Sequence, residues 1–188
     1  QLSALNLGMQ SLMDIMERDI RRAGYFASAA QNLERTNAGT PVLAPSNRDA
    51  MFALHVSAGS TTLQDLQRIS VVAPLYDCIL LRYDANDDGS IAGSDEIMGY
   101  RFVSAEKGLE FKQWTAISTQ LNDLCDGDTG WNNISQDGQL QLTSLTFAID
   151  PATGFSSPSG QRSIAMTLVG RSQHKPALTL SLQRQVRI

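Results

Sequence analysis

Apolar residues recur along the first 25 positions with the spacing of a helix face. Leu2, Leu5, Met9, Leu12, Met16 and Ile20 stand three or four apart and lead into Ala23, Gly24 and Tyr25. The spacing predicts one amphipathic helix over 1–25, with Gly24, which takes the left-handed conformation easily, as its stop. Asp14 with Arg18 and Glu17 with Arg21 are acid-before-base pairs at i and i+4 and mark its solvent side. No Ser, Thr, Asp or Asn stands ahead of the first apolar residue to cap the helix, so the expectation is that it is the lower portion of a longer one.

Beyond Tyr25 the period changes from that of a helix to that of a strand. Residues 26–66 are rich in Gly, Pro, Asn and Ser, interrupted by an alternating stretch at Met51–Val56. Gln67–Ala73 is β-branched and apolar, and Asp77–Tyr83 is the strongest strand signal of the middle. An acidic loop, 84–96, separates it from Ile97–Val103, so the two predict a hairpin with a long tip. Leu109–Trp114 predicts a short strand, and 115–138 a polar loop holding Cys125 and Trp131. In the last fifty residues Leu140 and Leu142 alternate on one phase and Leu145, Phe147 and Ile149 on the other, which predicts a bulge at Thr143–Ser144. Ile164, Met166 and Leu168, then Leu178, Leu180, Leu182, Val186 and Ile188, complete a three-strand antiparallel meander. A helix and a sheet with one apolar face each pack on one another, which gives an α+β fold with the helix across the sheet.

The 188 residues, 42% of them hydrophobic, suit one domain with a sizeable core. A net charge of −4 argues against a nucleic-acid partner, which calls for a basic surface. Charge is segregated: 161–188 holds Arg162, Arg171, Lys175, Arg184 and Arg187 and no carboxylate, while 84–96 holds Asp84, Asp87, Asp88, Asp95 and Glu96 and no base. These are either solvated strand ends and a polar loop or complementary patches for subunit contact. Cys78 and Cys125 are the only cysteines; their separation excludes a CxxC pair and leaves one bridge or two buried thiols. No run of 18 apolar residues and no secretory signal occurs in the chain as given.

Met16-Glu17-Arg18-Asp19-Ile20-Arg21-Arg22-Ala23-Gly24-Tyr25 resembles the type IV minor pilins of the PilW type, also called prepilin-peptidase-dependent protein B. Cys78-Ile79-Leu80-Leu81-Arg82-Tyr83-Asp84, Glu96 ahead of Gly99-Tyr100-Arg101, Cys125 followed by Trp131, and Leu142-Thr143-Ser144-Leu145-Thr146-Phe147 occur in the order that group shows. The final strand is also similar to J-type minor pseudopilins of type II secretion. The resemblance implies a single pilin-like domain: 1–25 the C-terminal half of the pilin helix, 26–138 a variable β region with hairpins and a disulfide loop, and 139–188 the C-terminal meander. It implies an inner-membrane prepilin of a Gram-negative bacterium, anchored by a preceding helix. The exposed domain would be periplasmic and then part of a surface pilus that it helps to initiate. Its partners would be other minor pilins and the major pilin, with cell adhesion among the roles such pili serve. Exposed parts of the Leu2, Leu5, Met9, Leu12 and Met16 stripe would then be subunit contacts. The alternative for its C-terminal half is packing on the domain's own sheet. An extracytoplasmic location favours a Cys78–Cys125 bridge.

Asp84, Asn86 and Asp88 stand at positions 1, 3 and 5 of a calcium-loop template, with Gly89 at 6 and Ser90 at 7. Asp95 falls at position 12 and Glu96 one place late. The alternative is an Asx-rich turn between strands. No other cofactor is expected. His55 and His174 have no neighbouring ligand set, and GxSxG, HExxH and phosphate-loop patterns are absent, so the expectation is that the protein is not an enzyme. Beside a pilin, a secreted calcium-binding β module and a periplasmic enzyme remain as other classes.

Overall fold

The computed structural model describes residues 2–23, 52–55, 64–65, 76–87, 95–114, 130–135, 140–150 and 163–187. Helix α1 (Leu2–Arg22) buries Leu5, Met9, Leu12, Met13, Met16 and Ile20, as the stripe requires. Arg21 and Arg22 occupy its last turn, where positive charge suits the carbonyl end. The last turn tightens, with the Ala23 amide donating to the carbonyls of both Asp19 and Ile20. Gly24, the expected stop, lies outside the described residues, as do Gln67–Ala73.

The strands form two antiparallel sheets rather than one. β1 (Phe52–His55), β2 (Gln64–Asp65), β3 (Cys78–Arg82), β4 (Ile97–Val103), β5 (Gly108–Trp114) and β6 (Asn132–Asn133) make a six-stranded sheet in the order β2-β1-β3-β4-β5-β6. β7 (Leu140–Asp150), β8 (Ser163–Ser172) and β9 (Thr179–Arg187) make the expected meander. Its register shifts between Leu142 and Ser144, so Thr143 is the extra residue. The bulge turns Leu140 and Leu142 to the same buried face as Leu145 and Phe147.

α1 lies on the meander, against β9, β8 and β7. Ile164, Met166 and Leu168 of β8 are fully buried beneath it. Gly170 continues their alternation; a Cβ there would stand 2.9 Å from Leu140 Cδ1 and 3.0 Å from Met9 Sδ, so glycine lets the helix approach the sheet. The two sheets are joined by main chain: Tyr76 and Phe147 exchange amide–carbonyl bonds of 3.0 and 2.6 Å, and the Leu142 amide donates to the Lys107 carbonyl at 3.0 Å. One apolar cluster therefore runs from α1 through the meander to Ile79, Leu81, Met98, Tyr100 and Leu109 of the larger sheet. Among the described residues no helix is long and apolar enough to cross a membrane.

Candidate assembly surface

Leu5, Met9, Leu12 and Met16 are 2, 0, 6 and 0% exposed, covered by the domain's own meander. From Leu5 to Met16 the stripe packs on the domain's own sheet, and of the five residues Leu2, at 55%, is the one left open to a partner. Leu7, at 70%, is the residue the periodic stripe passes over. It falls on the opposite face, where Ala4, Leu7, Ser11, Asp14 and Arg18 stand three or four apart and all are exposed. The signal was available in the sequence as a leucine out of phase with the buried series.

Polar contacts fix the helix's orientation. Asp19 is 5% exposed and accepts a 2.5 Å hydrogen bond from the Tyr100 hydroxyl of β4. Burial, and next the Asp19 carboxylate, push the Tyr100 hydroxyl far above its ordinary pKa of 10. The Tyr100 ring packs on Phe111 at 5.2 Å between centroids. On the other flank Arg184 of β9 donates to Asp14 and, at 2.6 Å, to Glu17, while Arg21 holds the second Glu17 oxygen at 2.7 Å. The expected Asp14–Arg18 pair gives way to these contacts, since Arg18 turns to Asp19 at 3.1 Å. Hydrogen bonds from Arg21 and then Arg184 hold the Glu17 carboxyl below its ordinary value, and Glu17 in turn raises Arg184. Part of the basic C-terminal segment thus serves the domain's own packing.

The β3–β4 hairpin brings the ends of the acidic loop together, with the Tyr83 amide donating to the Glu96 carbonyl at 3.1 Å. Asp84 and Glu96 are buried, and Asn86, Asp87 and Asp95 are exposed. Asp87 and Asp95 adopt positive φ, 61° and 71°, a conformation aspartate tolerates in turns. The Asp95 main chain is tied to β5 through Trp114 and Gln113. Asp88 and Ser90 lie outside the described residues. No group of three or more His, Cys, Asp or Glu side chains suited to a metal occurs among the described residues.

Sequence reasoning missed the far face of the six-stranded sheet. Arg101 and Glu110, opposite one another on β4 and β5, form a buried 2.6 Å ion pair. The Trp131 ring lies 4.4 Å from the Arg101 guanidinium and meets Trp114 edge-on at 5.5 Å. Lys112 stands 5.2 Å from the Trp114 ring, and its pKa is lowered by burial and then by Arg101. Gly99 makes room for Trp114: a Cβ would come within 3.0 Å of the indole and 2.8 Å of Leu80. Cys78 is fully buried here and disulfide-bonded; Cys125 lies outside the described residues. His174 is exposed. An open cleft of about 400 Å³ at the seam of the sheets is lined by Glu106, Lys107, Asn133, Ser135 and Gln141 among others, with one carboxylate and no histidine or cysteine among the described residues.

A family model described as prepilin peptidase-dependent protein B matches residues 1–188. The comparisons with curated proteins and with solved structures found no match.

Proposed function

The chain belongs to the prepilin peptidase-dependent protein B family, and from that premise we propose that it is a non-catalytic minor pilin of the PilW type that helps to initiate a type IV pilus, at its tip. Family membership over the whole chain carries the reading and gives it a pilus-related role. The fold supports it, because a helix buried along one side leaves Leu2, at its start, and Leu7, on the opposite face, open for neighbours to pack against. On this reading the domain is periplasmic, held at the inner membrane by a helical segment ahead of Leu2. Its partners are other minor pilins and the major pilin. A minor pseudopilin of type II secretion is the nearest other reading.

The test is deletion of the gene with counting of surface pili, alongside co-purification of the protein with the neighbouring minor subunits. Normal piliation, with no minor subunit recovered, would sink the proposal. We further propose that Cys78 pairs with Cys125, to be read by peptide mapping of the unreduced protein. We propose calcium as a stiffening ion for the 84–96 loop, because the hairpin register sets Asp84 and Asp95, template positions 1 and 12, at its two ends. Calorimetric titration showing no heat with calcium would remove the ion.

A further inference from the structure

The two faces of the β3–β4–β5 sheet are supported differently. One is covered by α1 and the meander in a continuous core whose described residues include no cysteine. The other carries a small layer, Cys78, Leu80, Ile97 and Trp114, with Trp131 packed on it. Cys78 stands directly opposite Arg101 in the β3–β4 register, and Trp131 lies on that same Arg101, so disulfide, cation and indole are neighbours. Among the described residues four buried side chains make up this layer, and it must also offset the desolvation of the Arg101–Glu110 pair. Strand β6, which follows Trp131, is only two residues long. So short a strand is a weak anchor for Trp131.

We infer that closing the Cys78 disulfide is what seats Trp131 on this face, so that the far layer is completed by oxidation while the helix-side core forms without it. The inference rests on the Cys78–Cys125 pairing proposed above. Cys125 precedes Trp131 by six residues, so the tether replaces most of the span between β5 and Trp131 with a short one and lowers the entropy lost in bringing the indole down. In the closing step the two thiols exchange with an external disulfide oxidant. An S–S bond forms in the chain, the oxidant's S–S bond breaks, and two electrons and two protons leave with the oxidant as a dithiol. The far face is then finished only in an oxidising compartment.

Trp114 and Trp131 are the only tryptophans, so indole signals report this layer alone, whereas far-ultraviolet circular dichroism reports α1. The test compares the oxidised protein with the C78A/C125A variant and with the folded wild type treated with a phosphine reductant. Helix signal and cooperative melting should persist, while near-ultraviolet indole ellipticity is lost and acrylamide quenching rises severalfold. Unchanged indole signals would overturn the inference, and so would loss of helix and indole signals in one transition. Peptide mapping tests the pairing separately: a Cys78 bridge to another molecule would overturn it before any spectrum is read.

Discussion

Tyr100 does two jobs with one side chain, filling the core with its ring and satisfying Asp19, a carboxylate of the helix, with its hydroxyl. Tyr100→Phe keeps the ring and removes the donor, leaving a buried carboxylate short of one partner. We expect a loss of about 1–3 kcal/mol in urea unfolding, the usual cost of stranding a buried polar group. Gly99→Ala should be destabilising by about 1–3 kcal/mol, because the new methyl would stand 2.8 Å from Leu80 and 3.0 Å from the Trp114 indole and force both to shift. Its spectroscopic signature is a changed Trp114 signal near 290 nm, the usual region of indole absorption. The two faces of β4 differ in what was legible in advance. Folding 97–103 back on 108–114 through a four-residue turn sets Arg101 against Glu110, so the buried pair could have been read from the hairpin alone. The Asp19–Tyr100 bond joins positions 81 residues apart and leaves no trace in any local pattern.

At the scale of elements, α1 is held to β9 by charge as well as by leucines. Arg21 and Arg184 keep Glu17 ionised below its ordinary 4.5, so the contribution of this attachment is complete above that value. It is lost as pH falls through the lowered folded value. Melting temperature should therefore drop on acidification below about pH 4.5, and Arg184→Ala should show a smaller drop from a start about 0.5–1 kcal/mol less stable. An identical acid profile in the variant would show that the pair contributes nothing. Strands of five or more residues were legible: the meander with its bulge because burying one face imposes period two, and β3, β4 and β5 as largely apolar runs that are covered on both faces. β2 and β6 were not: Gln64–Asp65 and Asn132–Asn133 are two-residue polar pairs with no period at all. Asp14 illustrates the same limit, since its nearest sequence partner, Arg18, loses to Arg184 across 170 residues.

For the whole molecule, the helix has two opposite duties, and the burial pattern separates them. Met9 is fully buried over Gly170, so Met9→Ala should cost about 2–5 kcal/mol by opening a cavity beneath the helix. Leu7 touches solvent over most of its surface, so Leu7→Ser should leave stability within about 0.5 kcal/mol. If the outward face of α1 is where neighbouring pilus subunits pack, Leu7→Ser must nonetheless weaken co-purification with them and reduce piliation in cells complemented with the variant. Leu2→Ser should act in the same direction, because it too is a large apolar residue left open at the end of the helix. The comparison is informative because the two kinds of variant fail differently: one lowers the melting temperature, and the other leaves it alone and loses partners. A Leu7→Ser protein that melts as the wild type does and assembles pili as well would place subunit contact elsewhere on the domain, with the charged surfaces of the hairpin tip and the meander next in line.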